Sequence, residues 1–177
     1  MTAPAAASAT RRSWVKPAAI GALVLALAGA GYAPIGRNVA APDVTFISLA
    51  GDKISTQSLR GKVVMVNFWA TSCTTCVKEM PQMVETYNTF KGQGLQFVAV
   101  AMKYDPPNYV LNFTETRQLP FTVAIDSSGD LARAFGDVTL TPTTFLIGKD
   151  GKILKRYVGA PEFGELHALL KKALAAG

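Results

Sequence analysis

VVMVNFWATSCTTCVKEMP, residues 63–81, decides the fold. Val63 to Trp69 is a run of β-branched and aromatic residues with one polar member, Asn67, and predicts a strand buried on both faces. A short turn, Ala70–Ser72, follows. Then come the two cysteines of the chain, Cys73 and Cys76. Apolar Val77, Met80, Val84 and Tyr87 continue at three- and four-residue spacing, the period of a helix face. The stretch therefore predicts strand, turn and helix, with a Cys-x-x-Cys on the first helical turn. A thiol is easiest to ionise there, because the helix N-terminus carries partial positive charge and free N–H donors.

Outward from this stretch the pattern is α/β. Val44–Leu49 and Ile54–Leu59 read as a strand–turn pair around Gly51-Asp52. The cysteine helix runs to about Phe90, with a kink expected at Pro81, and Gly92-x-Gly94 ends it. Leu95–Met102 is a second buried strand, so the central unit is βαβ with parallel strands and a right-handed crossover. Asp105-Pro106-Pro107 is a breaker, followed by an insertion: a helix over Asn108–Gln118 with Val110, Leu111 and Phe113 inward, then a strand over Leu119–Asp126. Gly129–Phe135 predicts a short helix. Thr143–Gly148 and Lys152–Val158 are strands joined by the Asp150-Gly151 hairpin signal. Pro161 opens a last helix with Phe163, Leu166, Leu169, Leu170 and Leu174 as its apolar stripe. The expected architecture is a mixed central sheet flanked by helices, with an N-terminal β-hairpin and an α/β insertion.

The chain has 177 residues and a formal charge of +6. Four of its 18 bases, Arg11, Arg12, Lys16 and Arg37, lie in an N-terminal segment without acids, which leaves 14 bases against 12 acids from Val39 onward. A charge of +2 with no basic, aromatic-laced stripe excludes nucleic acid as a partner class. Two cysteines three apart cannot staple distant parts of a fold.

TRRSWVK, residues 10–16, precedes 20 uncharged residues, Pro17–Gly36, with an apolar centre over Ala18–Ala33. That order of charge and apolarity marks a secretory signal or signal anchor, and the paired arginines resemble a twin-arginine export motif. Two outcomes are open. Ala28-Gly29-Ala30 supplies an A-x-A-like cleavage site; alternatively the run stays as an inner-membrane anchor. Either way the positive-inside rule puts the rest of the chain in the periplasm or outside the cytoplasm. Residues 1–36 are thus assigned to export, 37–42 to a linker and 43–177 to the folded domain.

WATSCTTC followed by TPTTFLIGKDGKI at 141–153 resembles the thioredoxin superfamily, and within it the TlpA/ResA-like thiol–disulfide oxidoreductases. The resemblance covers about Pro42–Ala175 and implies a thioredoxin-like fold. It implies Cys73 as the nucleophile and Cys76 as the resolving cysteine, paired as a redox-active disulfide. It further implies Trp69 as an aromatic shield, Pro142 as a cis-proline facing the disulfide, and Thr141 as a residue whose backbone pairs with substrate. Glu79 matches an acidic position of these reductases. Exported proteins with thiols or disulfides become the expected substrates and a membrane thiol carrier the electron source, with no cofactor and no metal. The chain departs from thioredoxin in having Asn67 in place of a buried Asp, Ser72 in place of Trp, and Thr74-Thr75 between the cysteines. The cytochrome-maturation branch has Glu after its cis-proline; here Thr143 stands there.

The chemistry follows from these residues. The thiolate of Cys73, favoured by helix N–H groups and the nearby Thr74 and Thr75 hydroxyls, attacks a substrate disulfide, and Cys76 resolves the mixed disulfide. With Asn67 unable to take a proton, Glu79 is the carboxylate left to accept one from Cys76. The reading is a disulfide reductase, although the same residues run backwards would oxidise a substrate. Rivals fare worse. Zinc needs four ligands and His167, the single histidine, stands far off in sequence as a boundary residue. Haem attachment needs His where Val77 stands, and a thioredoxin-fold copper carrier would show wider cysteine spacing and a nearby His. A peroxiredoxin needs Thr three residues before its cysteine, where this chain has Ala70.

Overall fold

The computed structural model describes residues 39–176. The expected export segment, residues 1–36, lies outside the described residues, as does the start of the expected linker. The end of that linker is tied to the fold: Ile153 N–H donates to Val39 O and Ala41 N–H to Gly151 O.

Twelve elements follow in order, one of them a short 3-10 turn at Lys91–Gln93. They are β1 (Thr45–Ile47), β2 (Lys53–Ser55), β3 (Val63–Trp69), α1 (Thr74–Phe90), β4 (Leu95–Ala101), α2 (Pro107–Thr116), β5 (Thr122–Ile125), α3 (Asp130–Ala134), β6 (Thr143–Ile147), β7 (Ile153–Val158) and α4 (Phe163–Ala175). The main sheet has the order β5-β4-β3-β6-β7. β3 runs parallel to β4, and β4 to β5; β6 is antiparallel to both β3 and β7. This is the expected mixed sheet. β1 and β2 form a separate antiparallel pair, clipped to the β5 edge by the Ser48–Ala124 bridge and by Leu49 N–H to Val123 O.

β3 is central, and its side chains alternate between two cores. Val63, Met65 and Trp69 enter the core that also holds Met80, Met83 and Phe90 of α1, Val110 of α2, and Leu166 and Leu170 of α4. Val64, Val66 and Phe68 enter the other, under α3 and the β1–β2 pair, where Phe135 stacks on Phe68 and Phe145 at centroid distances of 5.4 and 5.0 Å. With both faces covered, every residue of β3 is buried. Each large side chain withdrawn from water contributes about 1.5–3 kcal/mol.

Two expectations need correction. The second hairpin limb ends at Ser55, and residues 56–62 turn back toward the main sheet; Ser58 N–H and O–H both bond within the turn to Ser55. α2 begins at Pro107, where a ring with fixed φ suits the first helical turn, and Leu111 is 45% exposed because one narrow face, centred on Val110, meets the core. α1 is continuous from Thr74 to Phe90 with Pro81 inside it.

Candidate active site

The site lies where β3 ends and α1 begins. Cys73 is the N-cap of α1, with extended backbone (φ −86°, ψ 104°), and its Sγ accepts the Cys76 N–H at 3.1 Å. The cysteine thus occupies the place that Ser or Asp fills in most helices. Cys76 lies one turn in and is fully buried, whereas Cys73 is half-buried. The two are joined as a disulfide with Cα atoms 5.2 Å apart. Thr74 and Thr75 are exposed, and the hydrogen bond to Cys73 Sγ comes from the Cys76 backbone, not from either threonine hydroxyl.

Three chain segments meet around the β3–α1 junction that carries this pair. The first is the loop before β6, where the Thr141–Pro142 peptide is cis and Pro142 is buried. Gly159 N–H donates to Pro142 O at 2.8 Å, and Thr143 Oγ1 donates to Leu140 O at 2.7 Å. Thr143 is therefore a buried tie of its own loop, not a group offered to a partner. Thr141 is half-buried, with the Tyr104 hydroxyl 3.4 Å from its Oγ1.

The second is a polar group beneath the disulfide. Asn67, on β3, pairs in register with Thr144 on β6 and points to the α1 face. Its Nδ2 donates to Thr144 Oγ1 at 2.9 Å and to Glu79 Oε1 at 3.2 Å. Glu79 is 3% exposed and lies three residues after Cys76, so the two share one helix face. Burial pushes the Glu79 carboxyl up from 4.5 to about 7, partly offset by the bond from Asn67. Among the described residues, Glu79 Oε2 and Asn67 Oδ1 have no hydrogen-bond partner.

The third is the loop after β4, which brings Asp105 against Thr71. Asp105 Oδ2 accepts the Thr71 N–H and Oδ1 the Thr71 hydroxyl, both at 2.6 Å. Thr144, Tyr104 and Asp105 are the participants that sequence reading misses. Each is brought in from another strand or loop, and no pattern around it, T-P-T-T-F included, points to the partner it meets.

One sequence-predicted residue differs from expectation in place. Trp69 has no exposed surface; its ring packs 5.1 Å from Phe113 of α2. It underlies the site and does not form the surface a substrate meets. His167 lies on α4, away from the cysteines in the chain, 2.8 Å from Thr86 Oγ1. Thr86 already gives its proton to Gln82 O, so the His167 Nε2 is the donor here and the histidine ties α4 to α1. Among the described residues no cluster of three His, Cys, Asp or Glu groups is arranged to hold a metal.

A thioredoxin-like sheet that offers a helix-capping cysteine, a buried second cysteine and a cis-proline loop defines a thiol–disulfide oxidoreductase. Comparison with known proteins agrees: the Redoxin family model matches residues 37–170, and the chain belongs to that family. It is 39% identical over 132 residues to the thiol-disulfide oxidoreductase ResA of Bacillus anthracis, covering 75% of each chain. Against ResA of Bacillus subtilis it is 36% identical over 138 residues, 78% of this chain and 76% of the relative. The crystal structure of a thioredoxin-family thiol:disulfide interchange protein from Chlorobium tepidum superposes with TM-score 0.71 at 31% identity, covering 79% of this chain and 99% of that one. The chain is a TlpA/ResA-like member of the thioredoxin superfamily and a thiol–disulfide oxidoreductase.

Proposed function

We propose that this oxidoreductase works outside the cytoplasm as a disulfide reductase of exported proteins, kept reduced by a membrane thiol carrier. Cys73 is the nucleophile, Cys76 the resolving thiol and Glu79 the proton acceptor. In the first step the Cys73 thiolate bonds to one sulfur of the substrate disulfide. That S–S bond breaks and its other sulfur leaves as a thiolate, which takes a proton. In the second, Cys76 gives its proton to Glu79, and its sulfur attacks Cys73 Sγ. The Cys73–Cys76 disulfide forms and the second substrate thiolate departs, taking the proton from Glu79. Two electrons pass from the cysteine pair to the substrate. Thr141 pairs its backbone with the substrate chain beside Pro142. Trp69, Asn67, Thr74 and Thr75 support the site.

One observation carries the direction. Among the described residues the Cys76 N–H is the one hydrogen-bond donor to Cys73 Sγ, and the polar groups around the β3–α1 junction include two carboxyls, Glu79 and Asp105. A strong oxidant stabilises its reduced form by stabilising the thiolate; here neighbouring carboxyls oppose that negative charge. The disulfide is the favoured partner of the couple, so the pair gives electrons away. Equilibration of the full chain with glutathione or dithiothreitol buffers is expected to give a potential close to the about −270 mV of thioredoxin. A value near about −120 mV, that of a strong oxidant, would reverse the assignment.

The location rests on residues 10–36, with their arginines and uncharged apolar run. Among the described residues no helix is long and apolar enough to cross a membrane, so anchoring would fall to this segment. Residues 1–42 fused to a reporter that is active only after export are expected to give signal; a silent, expressed fusion would place the protein in the cytoplasm.

A further inference from the structure

The sequence marks Asp105 only as part of a proline-rich helix breaker. In the fold its side chain is 3% exposed and committed to one residue, Thr71, by two hydrogen bonds of 2.6 Å. Thr71 is the second residue of the turn that carries the nucleophile, closed by Cys73 N–H to Ala70 O at 3.1 Å. Both ends of the bridge are tied to the same strand pair. Met102 N–H donates to Trp69 O at the end of β3, and Asp105 N–H donates to Met102 O, each at 2.9 Å. The turn before Cys73 is therefore clamped between its own strand and a carboxylate from the next.

We propose that Asp105 is a positioning residue for Cys73: by holding the Thr71 N–H and O–H it keeps the turn in the shape that sets Cys73 at the α1 N-cap. There Sγ reaches the Cys76 N–H, which stabilises the thiolate. A buried carboxylate is a costly way to close a turn if stability alone is at stake. Its charge and its geometry also act on Cys73 in opposite directions. The bonds favour ionisation by fixing the cap, while the negative charge disfavours it. Asparagine separates the two. Its amide oxygen can accept the Thr71 N–H and its NH2 can donate to Thr71 Oγ1, since a hydroxyl both gives and accepts. Asp105→Asn keeps the clamp and removes the charge; Asp105→Ala removes both.

The inference rests on reading Cys73 as the nucleophile, and the test separates the two claims. The reduced full chain is alkylated with iodoacetamide across a pH series, and the modified cysteine is located by peptide mass mapping. Asp105→Ala is expected to raise the midpoint of Cys73 alkylation above that of Asp105→Asn, with the rate at pH 7 falling about tenfold for each unit of rise. Asp105→Asn is expected to keep the midpoint at or below that of the parent chain. A midpoint in Asp105→Ala no higher than that of Asp105→Asn overturns the proposal even if its unfolding temperature drops, because both variants lack the charge and only the clamp differs between them. If Asp105→Ala does not fold, Thr71→Val, which removes only the hydroxyl donor, takes its place: a raised midpoint supports the clamp and an unchanged one rejects it. Parent chain alkylated first at Cys76 would refute the nucleophile assignment and the clamp together, whereas Cys73-first labelling with an Asp105→Ala midpoint no higher than that of Asp105→Asn refutes the clamp alone.

Discussion

Cys73→Ser is expected to lower disulfide reduction to the background rate, a fall of at least about 10³, on the scale seen when a covalent nucleophile is removed. A serine at the α1 N-cap keeps the hydrogen bond from Cys76 N–H, since Ser is itself a preferred cap, so the fold is not the cause of the loss. The hydroxyl simply offers no thiolate. Cys76→Ser behaves differently. It retains the first attack by Cys73 but lacks the buried sulfur that displaces the substrate, so mixed disulfides accumulate and appear as a heavier band on non-reducing gels. Turnover of a fluorescent disulfide under dithiothreitol distinguishes the two. Full activity in Cys73→Ser would move the nucleophile to Cys76, which the complete burial of that residue argues against.

Glu79→Gln is expected to change both stability and the pH profile. The Glu79 carboxyl is raised from 4.5 to about 7 by burial. Below pH 4.5 it is protonated in the folded and the unfolded chain and costs nothing. Between 4.5 and 7 the unfolded chain ionises first, and above 7 the folded chain must hold a buried charge. The penalty therefore grows as pH rises through this window and is complete above about 7, at an order of 3 kcal/mol (about 1.4 kcal/mol per unit). The oxidised Glu79→Gln chain should match the parent near pH 4 and exceed it in urea-unfolding stability at pH 8 by up to about 3 kcal/mol. A stability difference that does not vary with pH would refute the shift. Catalysis moves the other way. The glutamine keeps an oxygen for the Asn67 amide but cannot take the Cys76 proton, so resolution of the mixed disulfide slows and its titration near neutral pH disappears. In the role proposed for Glu79, the parent enzyme trades stability for proton transfer.

The two cysteines show how far sequence reading reaches. Their spacing, the apolar run before them and the 3.6-residue pattern after them belong to one continuous segment, and β3 (Val63–Trp69) and α1 (Thr74–Phe90) follow it closely. The same holds for Pro142: T-P-T-T-F carries the resemblance, and the peptide is cis. Asn67 and Glu79 were visible as residue types but not as a bonded pair, since they lie 12 positions apart on different elements. Thr144, 77 positions from Asn67, and Asp105, 34 from Thr71, carry no local sign of those partners. Trp69 was legible as the end of a buried strand, but its packing partner Phe113, on the inserted helix, was not.

The pairing of Cys73 with Cys76 was implied by the resemblance to the thioredoxin superfamily. The sequence by itself determined the α/β order and the strand–turn–helix that carries the thiols. Those properties follow from periodicity, turn residues and spacing within short stretches of chain. The tertiary structure decided what surrounds the sulfurs: Glu79 raised toward neutrality by burial, Asn67 held between it and Thr144, and the Cys73 turn clamped by Asp105. These depend on sheet register and on which loop crosses which strand. The β3–β6 register sets Asn67 opposite Thr144, and the parallel pairing of β3 with β4 ends both strands at the same edge, where the Asp105 loop meets the cysteine turn.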